Sequence, residues 1–326
     1  MGVIQVLEPG LFTTVQDLGR EGYGPLGVSP SGAADALSLR MGNRLVGNAE
    51  GEAGLEMTLL GGTFAFPDGA FLIMAGSDFG ATLDGKPVEL WRAVEAKPGQ
   101  VLRMGPTRAG ARCYLCVHGG IASELFLGSA ATHILSGLGG HNGRALQKGD
   151  VLKIGTHRWK RAGGWFASFR KREWMLSPRV MKILEPRKVL RVTDGPQSDW
   201  FAEGSKEVFH ASGYRVAEDS NRMGIRLQGP AIQASASGEM ISEGVALGAI
   251  QVPEGGMPII LFVEQQTTGG YPKIANVISA DLHHLGQLRP RDEIRFERVD
   301  LGHARGLLRI QEMQLAGDSW HRGQRG

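Results

Sequence analysis

Only two cysteines stand in the 326 residues, too few for a disulfide framework and consistent with a reducing compartment. No window approaches 18 consecutive apolar residues, so no membrane-spanning helix is expected. The opening Met1-Gly2-Val3-Ile4-Gln5-Val6 has no basic stretch ahead of an apolar one, which predicts no secretory signal. Val6 also stands where a myristoylation signal needs Ser or Thr. Aromatic residues make up 7%, and the formal net charge of +3 is too small to argue for nucleic acid. These shortages predict a cytoplasmic protein that engages neither membrane nor nucleic acid.

What is abundant is glycine, 49 residues, about twice the usual ~7%. Glycine at that level marks many tight turns and favours short strands over helices. A 42% hydrophobic and 21% charged composition is globular, and the length suits two domains. Apolar runs at 3–7, 63–66, 70–74, 101–104 and 113–117, split by Gly, Pro and Asp turns, predict an N-terminal β-barrel-like domain over 1–157. Runs at 189–192, 224–227, 250–252, 259–263 and 294–296 predict a second over 189–314. Leu37, Met41 and Leu45, with Gly47 to close, predict one helix. A short helix is expected through Asp281-Leu282-His283-His284-Leu285 with Ser279 as its N-cap. Between residues 158 and 191, eleven Lys and Arg face two Glu, a local charge of +9 interleaved with Trp and Phe. Residues 158–188 therefore read as a basic linker rather than an RNA-binding or acidic-partner stripe, and 315–326 as a frayed tail.

Several motifs imitate catalytic signatures. Gly80 to Lys86 fits a phosphate-loop spacing, but Pro87 replaces the hydroxyl residue, and Asp84-Gly85 is a two-residue hairpin turn. The glycines at 22, 24 and 27 fit a dinucleotide spacing, yet Pro25 and Pro30 prevent the helix it needs. Cys113 and Cys116 lie in a strand, where a spacing of three sends them to opposite faces. Val180-Met181-Lys182-Ile183 resembles a biotinylated-lysine sequence without the small barrel around it. Adjacent His283 and His284 diverge by about 100° on a helix and cannot chelate one ion, so no metal site is expected.

The segment Glu264-Gln265-Gln266-Thr267-Thr268-Gly269-Gly270-Tyr271-Pro272-Lys273 differs in kind. Amides, hydroxyls, two glycines, an aromatic ring and a cation between two apolar strands make either a pocket wall or a long polar hairpin turn. Asp219-Ser220-Asn221-Arg222-Met223-Gly224 and Ile241-Ser242-Glu243-Gly244 cluster polar groups at other strand ends. Arg222 suits a bidentate grip on a carboxylate, or else a structural bridge to Glu243 or Asp219. In the N-terminal half, Asp17 and Arg20 can tie a glycine-rich loop.

These segments carry a resemblance. Gln16-Asp17-Leu18-Gly19-Arg20, Gly27-Val28-Ser29-Pro30-Ser31-Gly32, Ser220-Asn221-Arg222-Met223-Gly224, Gly248-Ala249-Ile250-Gln251-Val252-Pro253 and Gln266-Thr267-Thr268-Gly269-Gly270-Tyr271-Pro272 resemble the family called allophanate hydrolase subunit 2, KipA or the 5-oxoprolinase C subunit (PxpC). Leu55 to Gly61, Asp78 to Gly85 and Ala280-Asp281-Leu282 add to it, so the likeness runs from about Ile4 to Phe296. It departs at Glu264-Gln265, where the family usually has Asp-Arg, at Arg291, where Gly is common, and at Ala130-Ala131, in place of Arg-Ser.

The resemblance implies a mainly β fold, two cyclophilin-like β-barrel domains with few short helices. It implies a KipI/PxpB-like partner, a LamB/YcsF (PxpA)-like third subunit, and ATP-dependent opening of 5-oxo-L-proline to L-glutamate, with ATP at a site shared with a partner. Alternatives are the carboxyltransferase subunit of a biotin-dependent urea carboxylase/allophanate hydrolase-type system, and a non-enzymatic antagonist of a histidine-kinase inhibitor. On the first reading Arg222, Asn221, Gln266, Thr267, Thr268, Gly269 and Gly270 would hold the substrate carboxylate or a phosphorylated intermediate. Glu243 or Asp281 would be the acid/base, and Tyr271 and Lys273 would stabilise developing negative charge.

Overall fold

The computed structural model describes residues 2–155, 174–234, 240–317 and 320–322. The chain divides into two units, and each is assembled from separated segments. The first comprises Met1–Gly19, Asp35–Glu185 and Gln314–Gly326; the second comprises Arg20–Ala34 and Pro186–Met313. The expected layout is therefore corrected in three places. Residues 20–34 belong with the C-terminal unit, because Ser29 Oγ donates to the Val263 carbonyl at 3.1 Å and the Arg222 guanidinium donates to the Gly32 carbonyl at 2.6 Å. The described part of the expected linker is structured. The strand Trp174–Leu176 leads into the helix Pro178–Leu184, whose cap is Ser177 Oγ accepting the Val180 N–H. The described part of the expected tail is also structured: Leu315 and Ala316 end the helix Leu301–Ala316, and Trp320–Arg322 is a strand paired antiparallel with Trp174–Leu176. The aromatic and basic residues at 158–173 lie outside the described residues.

In the first unit, one sheet alternates in burial along its strands, the central strands of the other are buried on both faces, and the two share one core. A seven-stranded sheet runs, neighbour to neighbour, Ile121–Ala122, Val151–Ile154, Val3–Glu8, Thr63–Phe66, Gln100–Arg103, Thr82–Leu83 and Lys86–Pro87. A five-stranded sheet runs Thr13–Gln16, Gly54–Thr58, Arg112–Val117, Ala70–Gly76 and Val94–Ala96. Ile4, Val6, Leu55, Phe64, Phe66 and Leu115 are among the residues that fill the space they enclose. The helix Ala36–Leu45 forms as its spacing predicts. Asp35 caps it by accepting the Ser38 N–H at 2.9 Å, and Leu37, Leu39, Met41 and Leu45 are buried. Asp84 and Gly85, with φ of 46° and 80°, make the expected hairpin turn between Thr82–Leu83 and Lys86–Pro87. Burial pushes the Cys116 thiol up to about 12, and Cys113 is raised further, so neither is a nucleophile.

In the second unit, seven strands close into a barrel in the order Val189–Asp194, Lys273–Val277, Ala249–Gln251, Ile259–Leu261, Gly224–Gln228, Tyr214–Val216 and Glu293–Arg298. The first and last of these pair in parallel, and the other neighbours are antiparallel. Leu190, Val192, Ile225, Ile250, Ile260 and Ile294 belong to its core, and the helix Glu203–Ala211 adds Phe209, stacked on Phe296 at 4.5 Å. Ser279 does not cap a helix. It opens a 3-10 turn, Ser279–Asp281, that leads into Leu282–Leu285. The mainly β expectation with few helices holds; the second unit closes as a barrel, and the first is built of two sheets around one core. No helix among the described residues is long and apolar enough to cross a membrane.

Candidate active site

In the second unit, the strand Ala249–Gln251 runs antiparallel to Lys273–Val277, with Ala249 opposite Asn276 and Ile250 opposite Ala275. Regular pairing would next oppose Gln251 to Ile274. A register shift skips that residue and opposes Gln251 to Lys273. Such bulges re-aim side chains, and directly opposed residues share one face of the sheet. Two polar residues are thereby opposed across the two strands, flanked in sequence by Ile250 and Ile274. Gln251 is 2% exposed and Lys273 3%.

Against them lies a ribbon of two short strands, Glu243–Gly244 and Thr268–Gly269, with Glu243 opposite Gly269. The Glu243 carboxylate approaches the Lys273 ammonium to 2.7 Å, and Gln197 Nε2 donates to the same oxygen at 2.9 Å. Gln197 is itself fixed to the strand, because its Oε1 accepts the Lys273 N–H at 3.2 Å. The Lys273 contact first, and Gln197 second, hold the Glu243 carboxyl below its ordinary value. At neutral pH it is a carboxylate that can accept a proton and has none to give. A Cβ on Gly269 would lie 2.4 Å from Gln251 Nε2, so glycine at this position keeps the ribbon and the amide in close approach. Gln251 Nε2 is enclosed and meets no hydrogen-bond acceptor among the described residues.

The structure gathers some of the expected site residues and reassigns others. Glu243, Lys273, Thr268 and Gly269 meet at the ribbon. Thr267 braces it, its carbonyl accepting the Val245 N–H at 3.2 Å, while Gln266, Gly270 and Tyr271 lie exposed on the same turn. Arg222 is not available to grip a ligand carboxylate: its Nε donates to buried Glu264 at 2.5 Å and its Nη2 to the Gly32 carbonyl. It is a structural bridge, but to Glu264 rather than to Glu243 or Asp219, and Asp219 faces Arg226 at 3.3 Å. Asn221 is a turn former, its Oδ1 accepting the Met223 N–H at 2.8 Å. Asp281 is corrected as an acid/base. It is fully buried, and it accepts the Arg191 backbone N–H at 2.8 Å, Nε at 3.0 Å and Nη2. The neighbouring His284 is pushed down to about 2 by burial and by the adjacent His283, and so stays neutral.

Sequence reasoning missed Gln251 and Gln197. The signal for Gln251 was a lone amide in the apolar run Ala249-Ile250-Gln251-Val252; a polar residue in a barrel strand has to be answered by something. Also missed was a cleft of about 510 Å³ in the first unit, formed by the glycine-rich turn at residues 137–143 with Ser123, Phe126 and Lys153. Asp17 does tie its loop as expected, accepting the N–H groups of Gly19 and Ala130 and the Ser129 hydroxyl.

The model of the carboxyltransferase domain family, subdomains A and B, matches residues 26–298. The chain belongs to that family. Among carboxyltransferase-domain relatives, the 5-oxoprolinase C subunit of Haemophilus influenzae is 36% identical over 313 residues, covering 96% of each chain. The protein of the same name from Escherichia coli is 35% identical over 318 residues and covers 98% of each. The crystal structure of Kluyveromyces lactis urea carboxylase superposes with a TM-score of 0.85 at 32% identity; the match covers 96% of this chain and 29% of that one. The family named from the motifs is thereby the family found.

Proposed function

We propose that this chain is the C subunit of an ATP-dependent 5-oxoprolinase, opening 5-oxo-L-proline to L-glutamate with KipI/PxpB-like and LamB/YcsF (PxpA)-like subunits. The observation that carries the reading is end-to-end coverage: the chain and two proteins named for that subunit account for 96–98% of each other's length. A five-membered lactam carries little strain, so its hydrolysis calls for coupling to ATP. The phosphate-loop spacing at 80–86 is a hairpin turn here and does not fit a nucleotide. ATP is therefore assigned to a site shared with a partner, and no step is routed through this chain's own loops.

What this chain contributes is the ribbon site. Lys273 supplies positive charge to an anionic group of the substrate, and the Glu243 carboxylate can take a proton from an attacking water. Thr268 and Tyr271 border the same site from the ribbon and its turn. Mixing the chain with its two partner subunits is expected to give glutamate formation and ATP hydrolysis that depend on 5-oxo-L-proline. A correctly assembled trio that makes no glutamate overturns the proposal.

The urea carboxylase likeness favours a second reading, carboxyl transfer from a biotinylated carrier to a small amide. Biotin would arrive on another protein, since Lys182 lies in the helix Pro178–Leu184 and not at the tip of a carrier hairpin. Carboxyl transfer from an added biotin carrier, with no lactam opening, would select that reading.

A further inference from the structure

The oxoprolinase reading of the sequence puts the substrate carboxylate or a phosphorylated intermediate on Arg222 and the 266–270 loop, but the Arg222 guanidinium is already engaged by Glu264 and the Gly32 carbonyl. Lys273 offers what Arg222 does not. Its ammonium is 3% exposed, and the carboxylate that answers it, Glu243, is 44% exposed. A buried ammonium requires an anion beside it. Here that anion rides on a ribbon only two residues long on each side. On the residue opposed to Lys273, Gln251 Nε2 is enclosed without an acceptor among the described residues. An enclosed amide N–H is satisfied only when an oxygen comes within reach. Gly269 packs its backbone against that amide: its backbone is not left-handed, and a Cβ there would lie 2.4 Å from Gln251 Nε2 and 3.1 Å from Val245 Cγ1.

We infer that Gln251 Nε2 and Lys273 Nζ form the seat for the carboxylate of a small anionic substrate, and that the Glu243 carboxylate holds the seat until substrate displaces it. This rests on the proposed small-molecule amide chemistry and adds which group is recognised and by what. Exchanging one carboxylate for another at Lys273 leaves the buried charge balanced throughout, so no cation is stranded. The displaced Glu243 moves into water it already touches. Relieved of its cation, it is the stronger base, so seating the substrate also readies the group that accepts a proton. Gln197, bonded to Glu243 at 2.9 Å, keeps that carboxylate near the seat. A neutral lactam or urea has no charge with which to displace Glu243, so the seat selects lactam acids.

The test uses the full-length chain, calorimetry, and the side-chain amide NMR signal of Gln251, assigned by its loss in Gln251→Met. The probes are 5-oxo-L-proline, acetate and neutral 2-pyrrolidinone. The two carboxylates are expected to shift the Gln251 signal and 2-pyrrolidinone to leave it in place. Glu243→Gln removes the competitor and is expected to tighten 5-oxo-L-proline about tenfold, while Gln251→Met weakens it about tenfold. Thermal melting verifies each fold, and Glu243, being half exposed, carries the test if Gln251→Met does not fold. The seat is overturned if 2-pyrrolidinone binds as well as 5-oxo-L-proline, or if Glu243→Gln weakens binding. It is equally overturned if folded Gln251→Met binds like wild type, or if neither wild type nor Glu243→Gln responds to a carboxylate. Tightening by Glu243→Gln without glutamate formation by the reconstituted complex would keep the seat and remove the oxoprolinase reading. Glutamate formation with an unchanged KM in Gln251→Met would do the reverse.

Discussion

Asp281 and Lys273 are both buried charges in one barrel, yet their surroundings differ in kind. Asp281 receives three donors from a single residue, Arg191, two from its guanidinium and one from its backbone. Lys273 is answered by one carboxylate that is half in water and carried on a two-residue ribbon. Arg222 with Glu264 belongs with Asp281, both partners being buried. A closed set of partners marks a charge that holds the fold together. An incomplete set, opposed by an amide with no acceptor among the described residues, is what the proposed substrate seat requires.

Four measurements can break or sharpen that contrast. Lys273→Met should lower kcat/KM of the assembled enzyme by roughly 10²–10³-fold, yet shift unfolding free energy by less than about 1–2 kcal/mol, because the carboxylate left behind is already hydrated. Asp281→Ala should do the opposite. Stranding Arg191 should cost about 3–5 kcal/mol in denaturant unfolding, with turnover per folded molecule preserved; equal effects in the two variants would erase the distinction. Gly269→Ala forces a Cβ against Gln251 and should cost about 1–3 kcal/mol, with a raised KM for 5-oxo-L-proline. The smallest effect is pH-linked. Because Lys273 lowers the Glu243 carboxyl in the folded chain, its contribution to stability is present above the ordinary Glu range and is lost as pH falls through the depressed value. Glu243→Gln should flatten the acid limb of a melting-temperature profile, and an unchanged limb would show the contact to be inert.

The barrel strands were legible because their apolar runs are short, rich in Ile and Val, and bounded by turn residues. The helix Ala36–Leu45 was legible for the complementary reason, a clean spacing of four. The sixteen-residue helix Leu301–Ala316 was not. It packs through Ala304, Leu307 and Leu308 against Ile278, Ala280 and Val299, but exposed Leu301, Ile310 and Met313 blur its stripe. Within the site, the polar turn after residue 263 and the choice of Glu243 and Lys273 could be read from residue type. The partners could not. Whether Arg222 meets Glu264 or Glu243 depends on which strands are neighbours, and Gln251 faces Lys273 only because of one skipped residue.

The first unit is built from three stretches of chain and the second from two, which fixes an order of events during synthesis. Residues 186–313 leave the ribosome before Trp320–Arg322, the strand that pairs with Trp174–Leu176. Among the described residues, the pairing of Trp320–Arg322 with Trp174–Leu176 is therefore the last strand pairing of the first unit to form, after all strands of its two larger sheets have been made.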